Sequence, residues 1–149
     1  MPVVLPPEPE AGRTNWKMWY YGRDGEMWSK GNKAFLPTGV NGLAESADGI
    51  NWTRVKGPLE GGAVMLPSED PGDWDSVHIG VTDIIPRPAG GYVMHYLGGS
   101  GDAVELSTAP GMGPLVGFRM SCGAAISDDG VNWKREGAQV TPGAAGEWE

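Results

Sequence analysis

The sequence predicts an all-β protein built from two four-stranded antiparallel units, and three observations carry that expectation. A turn-and-tryptophan phrase occurs twice, as GLAESADGINW at residues 42–52 and as GAAISDDGVNW at residues 123–133. Short β-branched and aromatic runs are bounded by Gly, Pro, Asn and Asp, the residues that begin and end strands. The 25 Gly and 13 Pro call for many turns, while seven Trp and 40% hydrophobic residues supply a core for those strands to bury.

Three landmarks recur in the same order. Trp16-Lys-Met-Trp-Tyr-Tyr-Gly22 matches Tyr92-Val-Met-His-Tyr-Leu-Gly98, Gly42 to Trp52 matches Gly123 to Trp133, and Asp73-Trp74-Asp75 matches Glu147-Trp148-Glu149. The spacings of 76, 81 and 74 residues drift as they do when homologous units differ in loop length.

The second unit gives the strands in order. VHIGVTDIIP, Val77 to Pro86, is β-branched and stops at prolines, so it reads as strand one. YVMHYLG, after an Ala-Gly-Gly turn, reads as strand two. FRMSCGAAIS, with small residues that let backbones approach, reads as strand three, and NWKRE as strand four. Between strands three and four lies a tight Asp-Gly turn. Ser46 and Asp48, or Ser127 and Asp129, are placed to bond its amides, and Trp52 or Trp133 to pack on a neighbouring sheet. The phrase therefore reads as a structural corner.

A four-stranded meander of about 75–80 residues fits a β-propeller blade with long loops. PVVLPPEPE at the start resembles the end of strand one, and Glu147-Trp148-Glu149 stands where strand one of a next unit is introduced. Residues 1–60 then form a first blade lacking most of its inner strand, and 61–149 a second blade with the threshold of a third. Two sheets cannot circle a channel, so the expectation is a propeller fragment. Its missing neighbours would be the remaining blades of a parent chain or a self-associated copy.

In such a meander the short turns fall on one face and the long connections, Arg23–Val40, Gly57–Asp75, Gly99–Gly117 and Gly137 onward, on the other. A binding site belongs among the long ones. They hold Arg23, Asp24, Glu26, Trp28 and Lys30, then Asp73, Trp74 and Asp75, with His78 inside the strand that follows. Carboxylates beside indoles suit a sugar, whose hydroxyls bond charged acceptors and whose C–H faces stack on aromatics. Asp73 and Asp75 also suit a strand cap, Trp74 a plug between blades, and His78 either a proton relay or a hydrogen-bonded strand residue. Glu45 stands where the second repeat has Ile126, at a wet edge or a functional position.

A net charge of −8 with scattered basic residues gives no nucleic-acid footprint. No stretch approaches the roughly 20 apolar residues of a membrane-spanning helix. The opening MPVVLPPEPE has neither the basic flank nor the long apolar segment of a secretory leader. Two separated His and one Cys offer no ligand cluster for a metal, which leaves a hydrated cation on loop carboxylates as the alternative to no metal, and no cofactor is expected. Cys122, in an apolar run with no oriented base, reads as a buried inert thiol.

The segments WKMWYYG, GLAESADGINWTRVKGP, DWDSVHIGV and GAAISDDGVNWKREG resemble the five-bladed propellers of the arabinanase, levansucrase and invertase superfamily, which includes glycoside hydrolase families 32, 43 and 68. The resemblance spans nearly the whole chain. It implies hydrolysis or transfer of furanosyl and related glycosyl units by an acidic nucleophile or base and a glutamic acid around a central channel. The first essential aspartate of that group sits on the inner strand of the first blade, which in this register falls mostly before Met1. Asp75, at the start of the second inner strand, is the resulting candidate for a catalytic or transition-state-stabilising carboxylate. Arg23, Asp24, Trp28, Trp74 and His78 are the candidate sugar-binding residues. Arg23-Asp24 is similar to the Arg-Asp pair of families 32 and 68, without the Pro that follows it there. The Ser-x-Asp-Gly-x-x-Trp turn is similar to the sialidase Asp-box, one residue short. The alternative function is a non-catalytic carbohydrate-binding or scaffolding propeller.

Overall fold

The computed structural model describes residues 2–27, 37–105, 111 and 113–143. Ten strands follow in chain order: β1 (Val3–Leu5), β2 (Trp16–Met27), β3 (Pro37–Ser46), β4 (Thr53–Val55), β5 (His78–Pro86), β6 (Tyr92–Gly99), β7 (Ala103–Val104), β8 (Leu115–Val116), β9 (Met120–Ser127) and β10 (Lys134–Val140). Two single 3₁₀ turns, Pro9–Ala11 and Glu60–Gly62, are the helical segments among the described residues. Sheet one has the order β1-β2-β3-β4 and sheet two the order β5-β6-β9-β10, with every neighbour antiparallel. The chain is all-β, as expected, and each large sheet is a four-stranded meander.

The sequence repeat is also a repeat of register. Trp16 pairs with Ser46 and Tyr20 with Gly42 in sheet one, while their counterparts Tyr92 and Tyr96 pair with Ser127 and Gly123 in sheet two. Ala44 opposes Arg54 as Ala125 opposes Arg135. Val4 faces Met18 as Ile84 faces Met94, so β1 corresponds to the closing residues of β5. Because side chains alternate along a strand, this coincidence puts each matched pair on the same face of its sheet.

Four expectations are corrected. β2 runs to Met27 and β3 begins at Pro37, so both described ends of the predicted Arg23–Val40 loop, 23–27 and 37–40, continue the paired strands, with a register shift between Arg23 and Met27. Backbone ladder bonds hold that extension, and its polar, glycine-containing sequence gave no apolar alternation to announce it. The predicted Gly99–Gly117 loop contains the β7–β8 ribbon. Strand four starts two residues later than NWKRE because Asn132 and Trp133 belong to the turn, and it runs on to Val140. Cys122 is exposed, not buried. Strand parity gives the inner face of β9 to Ser121, Gly123 and Ala125, and Cys122 lies between them on the other side.

The two sheets meet along β5, which packs against β1, β2 and β3. Trp19 of β2 is wholly buried there, tilted against Tyr92 at 5.2 Å between ring centres and edge-on to Trp133 at 6.4 Å. Its Nε1 donates to the Gly130 carbonyl at 2.8 Å, and Trp133 Nε1 donates to the same oxygen at 3.1 Å. One carbonyl thus uses both lone pairs on two indoles, one from each sheet. Gly130 has φ of 80°, and a Cβ there would stand 2.7 Å from Trp19 Cζ2, so both backbone and packing require glycine. Trp52, the counterpart of Trp133, is half-buried and stands outside the core cluster.

A second tie is polar. Asn41 of β3, fully buried, accepts the Val81 amide of β5 on Oδ1 at 2.9 Å and directs Nδ2 at Met94 Sδ at 3.4 Å. Its backbone pairs with Met65 in the connection between the sheets. The Val81 bond sits at the register shift between Val81 and Asp83, where a β-bulge leaves an amide without its ladder partner. Leu43, Val64, Met65, Ile79, Ile84, Met94 and Ala125 complete the core around these ties.

Trp19→Ala should lower the unfolding free energy by about 3–5 kcal/mol in urea titrations, the usual range for a large aromatic lost from a core. Gly130→Ala should cost more than Gly49→Ala, although both glycines have positive φ. A Cβ at Gly49 meets only Trp16 of its own sheet, at 3.1 Å, whereas at Gly130 it strikes the indole that joins the sheets. Equal losses would show that the two turns are loaded alike.

Candidate functional site

The repeated turns are structural corners in atomic detail. Asp48 Oδ1 accepts the amides of Ile50 and Asn51, its Oδ2 accepts Asn51 Nδ2, and the Ser46 hydroxyl accepts the amides of Asp48 and Gly49. Ser127, Asp129, Val131 and Asn132 repeat the pattern. Bonds from the Asn51 amide and side chain, the Ile50 amide and Ser46 hold the exposed Asp48 carboxyl well below the ordinary range. Burial pushes Asp129 upward, but the Asn132 and Val131 amides with the Asn132 and Ser127 side chains outweigh it, and it too is lowered.

The predicted site residues separate into two places. Trp74 and Asp75 lie in the segment that leads into β5. Asp75 is fully buried, with Oδ2 accepting the Tyr96 hydroxyl at 2.9 Å and Arg135 Nε at 2.8 Å. Its Oδ1 is buried and, among the described residues, has no hydrogen-bond partner. Arg135 also donates to the Leu66 carbonyl. Burial raises the Tyr96 hydroxyl far above its usual range, and the adjacent Asp75 charge adds to the rise. Burial opposes the Arg135 charge, but Asp75 more than offsets it, so that guanidinium is held above its ordinary value. A carboxylate with a 1% exposed side chain, paired to an arginine that keeps 36%, works here as a clamp between β5, β6 and β10.

Trp74 lies beside this clamp, its ring 5.0 Å from that of Tyr96. A Cβ on Gly98 or Gly123 would fall 2.6 or 2.4 Å from the indole, so glycine in β6 and β9 makes the slot that Trp74 fills. His78 is buried at the start of β5 and donates from Nε2 to the Gly117 carbonyl at 3.1 Å. Burial lowers its pKa from the ordinary value, with Gly117 partly opposing. Asp73 bonds Ser68 across the same connection.

Arg23 is elsewhere. It is exposed on sheet one with its guanidinium 5.2 Å from the centre of the Tyr21 ring, and it borders a cavity of about 390 Å³ lined also by Tyr20, Gly22, Gly42 and Arg54. Asp24 follows it in β2, where only the backbone is described, and Trp28 lies outside the described residues. Glu45, near the end of the interior strand β3, is half-buried and forms an ion pair with Lys17 at 2.7 Å. Among the described residues, no three His, Cys, Asp or Glu side chains gather to hold a metal ion, and no helix is long and apolar enough to cross a membrane.

The sequence reading named Asp75 and Trp74 but missed their partners, Tyr96 and Arg135. The signal was available, since Tyr96 repeats Tyr20 at the spacing of the first landmark and Arg135 repeats Arg54 at that of the second. No protein-family model, curated protein or solved structure matches the chain.

Arg135→Met leaves Asp75 buried without its cation and should cost about 3 kcal/mol, whereas Arg54→Met, which breaks no ion pair among the described residues, should cost under about 0.5 kcal/mol. Chemical unfolding of both variants checks the contrast. Stability should also fall on acidification below about pH 6.5, because unfolded His titrates near that value and folded His78 binds its proton only at lower pH. A second fall, below about pH 4, should follow as the two turn aspartates, lowered only in the folded chain, take up protons. Melting temperatures from pH 8 to 3 measure both, and His78→Gln should flatten the first.

Proposed function

We propose that this chain forms two consecutive blades of a carbohydrate-active β-propeller of the arabinanase, levansucrase and invertase kind. The observation that carries the reading is the return of one antiparallel meander, strand for strand and register for register, in two sheets joined face to back. The resemblance of four segments to the glycosidase propellers adds the substrate class: furanosyl and related glycosides. Hydrolysis by paired carboxylates needs roughly 5 Å between them for retention or 6.5–9.5 Å for inversion. In this reading Asp75 is one carboxylate of such a site in the complete ring, or the residue that orients it, and Arg23 and Asp24 contribute to sugar binding from the long-loop face.

One observation favours a second reading. Asp75 has no exposed surface and is already committed to Tyr96 and Arg135, which suits blades that bind or support and leave the reaction to other residues. The two readings divide on turnover. The chain should bind arabino- or fructo-oligosaccharides saturably, with Arg23→Ala weakening binding about tenfold, as expected when a charged hydrogen bond to a hydroxyl is lost. Release of reducing ends that Asp75→Asn abolishes, in a variant that melts cooperatively, selects the hydrolase. Binding without release selects the scaffold. Absence of binding across such a panel counts against both.

A further inference from the structure

The clamp of sheet two has an unfilled duplicate in sheet one. Tyr20 and Arg54 hold the register positions of Tyr96 and Arg135, and Gly22 and Gly42 those of Gly98 and Gly123. In sheet two these four positions grip Trp74 and Asp75. In sheet one the four line the cavity of about 390 Å³. Arg54 makes one long bond, 3.4 Å to the Gly61 carbonyl, and among the described residues it has no carboxylate partner. A Cβ on Gly22 would meet nothing nearer than 3.8 Å, against 2.4 Å at Gly98, so the space over Gly22 is open, while over Gly42 the half-buried Tyr20 ring stands where the indole of Trp74 covers Gly123.

The exposed faces agree. Tyr92, Met94 and Tyr96 of sheet two are buried against sheet one, but their counterparts Trp16, Met18 and Tyr20 are half-buried on a face that no other sheet among the described residues covers. On the far side of sheet two, His95 is exposed where its counterpart in sheet one is the buried Trp19. One surface has the form of a socket and the other of a plug.

We propose that the sheet-one cavity is a receptor for a tryptophan–acid segment, and that its occupant is Glu147-Trp148-Glu149 of a second copy of this chain. That segment repeats Asp73-Trp74-Asp75, and it follows sheet two as Asp73-Trp74-Asp75 follows sheet one. Trp148 takes the place of Trp74 over Gly22, the Tyr20 ring swings off Gly42 to admit it, and the Glu149 side chain meets Tyr20 and Arg54 as Asp75 meets Tyr96 and Arg135. The step that relates sheet one to sheet two then relates sheet two to sheet one of the next copy. It brings His95 to the Gly49 carbonyl as Trp19 is brought to Gly130. Such a junction is head-to-tail, with different surfaces on the two partners. It depends on the repeat register and not on the carbohydrate reading, so failure of sugar binding leaves it standing.

Sedimentation equilibrium of the full chain tests it. The wild type should exceed its 15.7 kDa monomer mass increasingly with concentration. Arg54→Met, which empties the socket of its cation, and Trp148→Ala, which blunts the plug, should each weaken association about tenfold or more, as loss of a charge-assisted pair or an aromatic anchor does. Each variant keeps one intact surface, so an equimolar mixture should form a one-to-one dimer that neither forms alone. A wild type that stays monomeric into the millimolar range overturns the proposal. So does either variant associating as tightly as the wild type, or a mixture that fails to pair.

Discussion

The Gly130 carbonyl, shared by the indoles of Trp19 and Trp133, is the contact on which the arrangement of the two sheets depends. A buried carbonyl is satisfied by one donor, and here Trp133 of its own turn supplies that one while Trp19 of the other sheet takes the second lone pair, which fixes the sheets relative to one another. The turn that presents the carbonyl is rigid because Ser127 and Asp129 bond its amides, and glycine at its apex lets the indole approach. Local turn chemistry therefore sets a long-range geometry, since Trp19 and Gly130 are 111 residues apart. Asn41 reinforces it at the other end of β5, where its carboxamide caps the amide that the bulge exposes.

Much of this was readable in the chain. The phrase from Gly42 to Trp52 and its return at Gly123 to Trp133 gave the meander and its corner, because Ser, Asp and Gly at those spacings bond their own backbone without tertiary help. The β-branched run ending at Pro86 gave β5, and the repeated aromatics gave β2 and β6. The errors have physical causes. The β2–β3 extension and the β7–β8 ribbon rest on backbone bonds between segments without hydrophobic alternation. Cys122 sits in an apolar run, but strand parity and not local composition decides its face.

The candidate site was legible in part. Asp75 and Trp74 stood out as an acid and an indole before a strand, and they are together in a buried place. What the sequence did not reveal was their commitment: Tyr96 is 21 residues from Asp75, and Arg135 is 60. Only comparison of the repeats one position at a time exposes Tyr20 and Arg54 as the matching pair. Arg23 and Asp75 both belong to segments that read as long connections, but the structure puts Arg23 in β2 of sheet one and ties Asp75 to sheet two through Tyr96 and Arg135. Loop length alone carries no information about which sheet a loop overhangs.

The outer rim of sheet two has a consequence of its own. β10 departs from regular pairing twice, between Arg135 and Gly137 and between Ala138 and Val140, and most of the strand is exposed. A border irregular in this way offers an incoming strand no straight run of amides and carbonyls to zip onto. The rim of sheet one is protected differently, for β4 is three residues long and too short to template much. Lateral, amyloid-like growth is thus discouraged along β10 and β4, the margins that the two meanders end on.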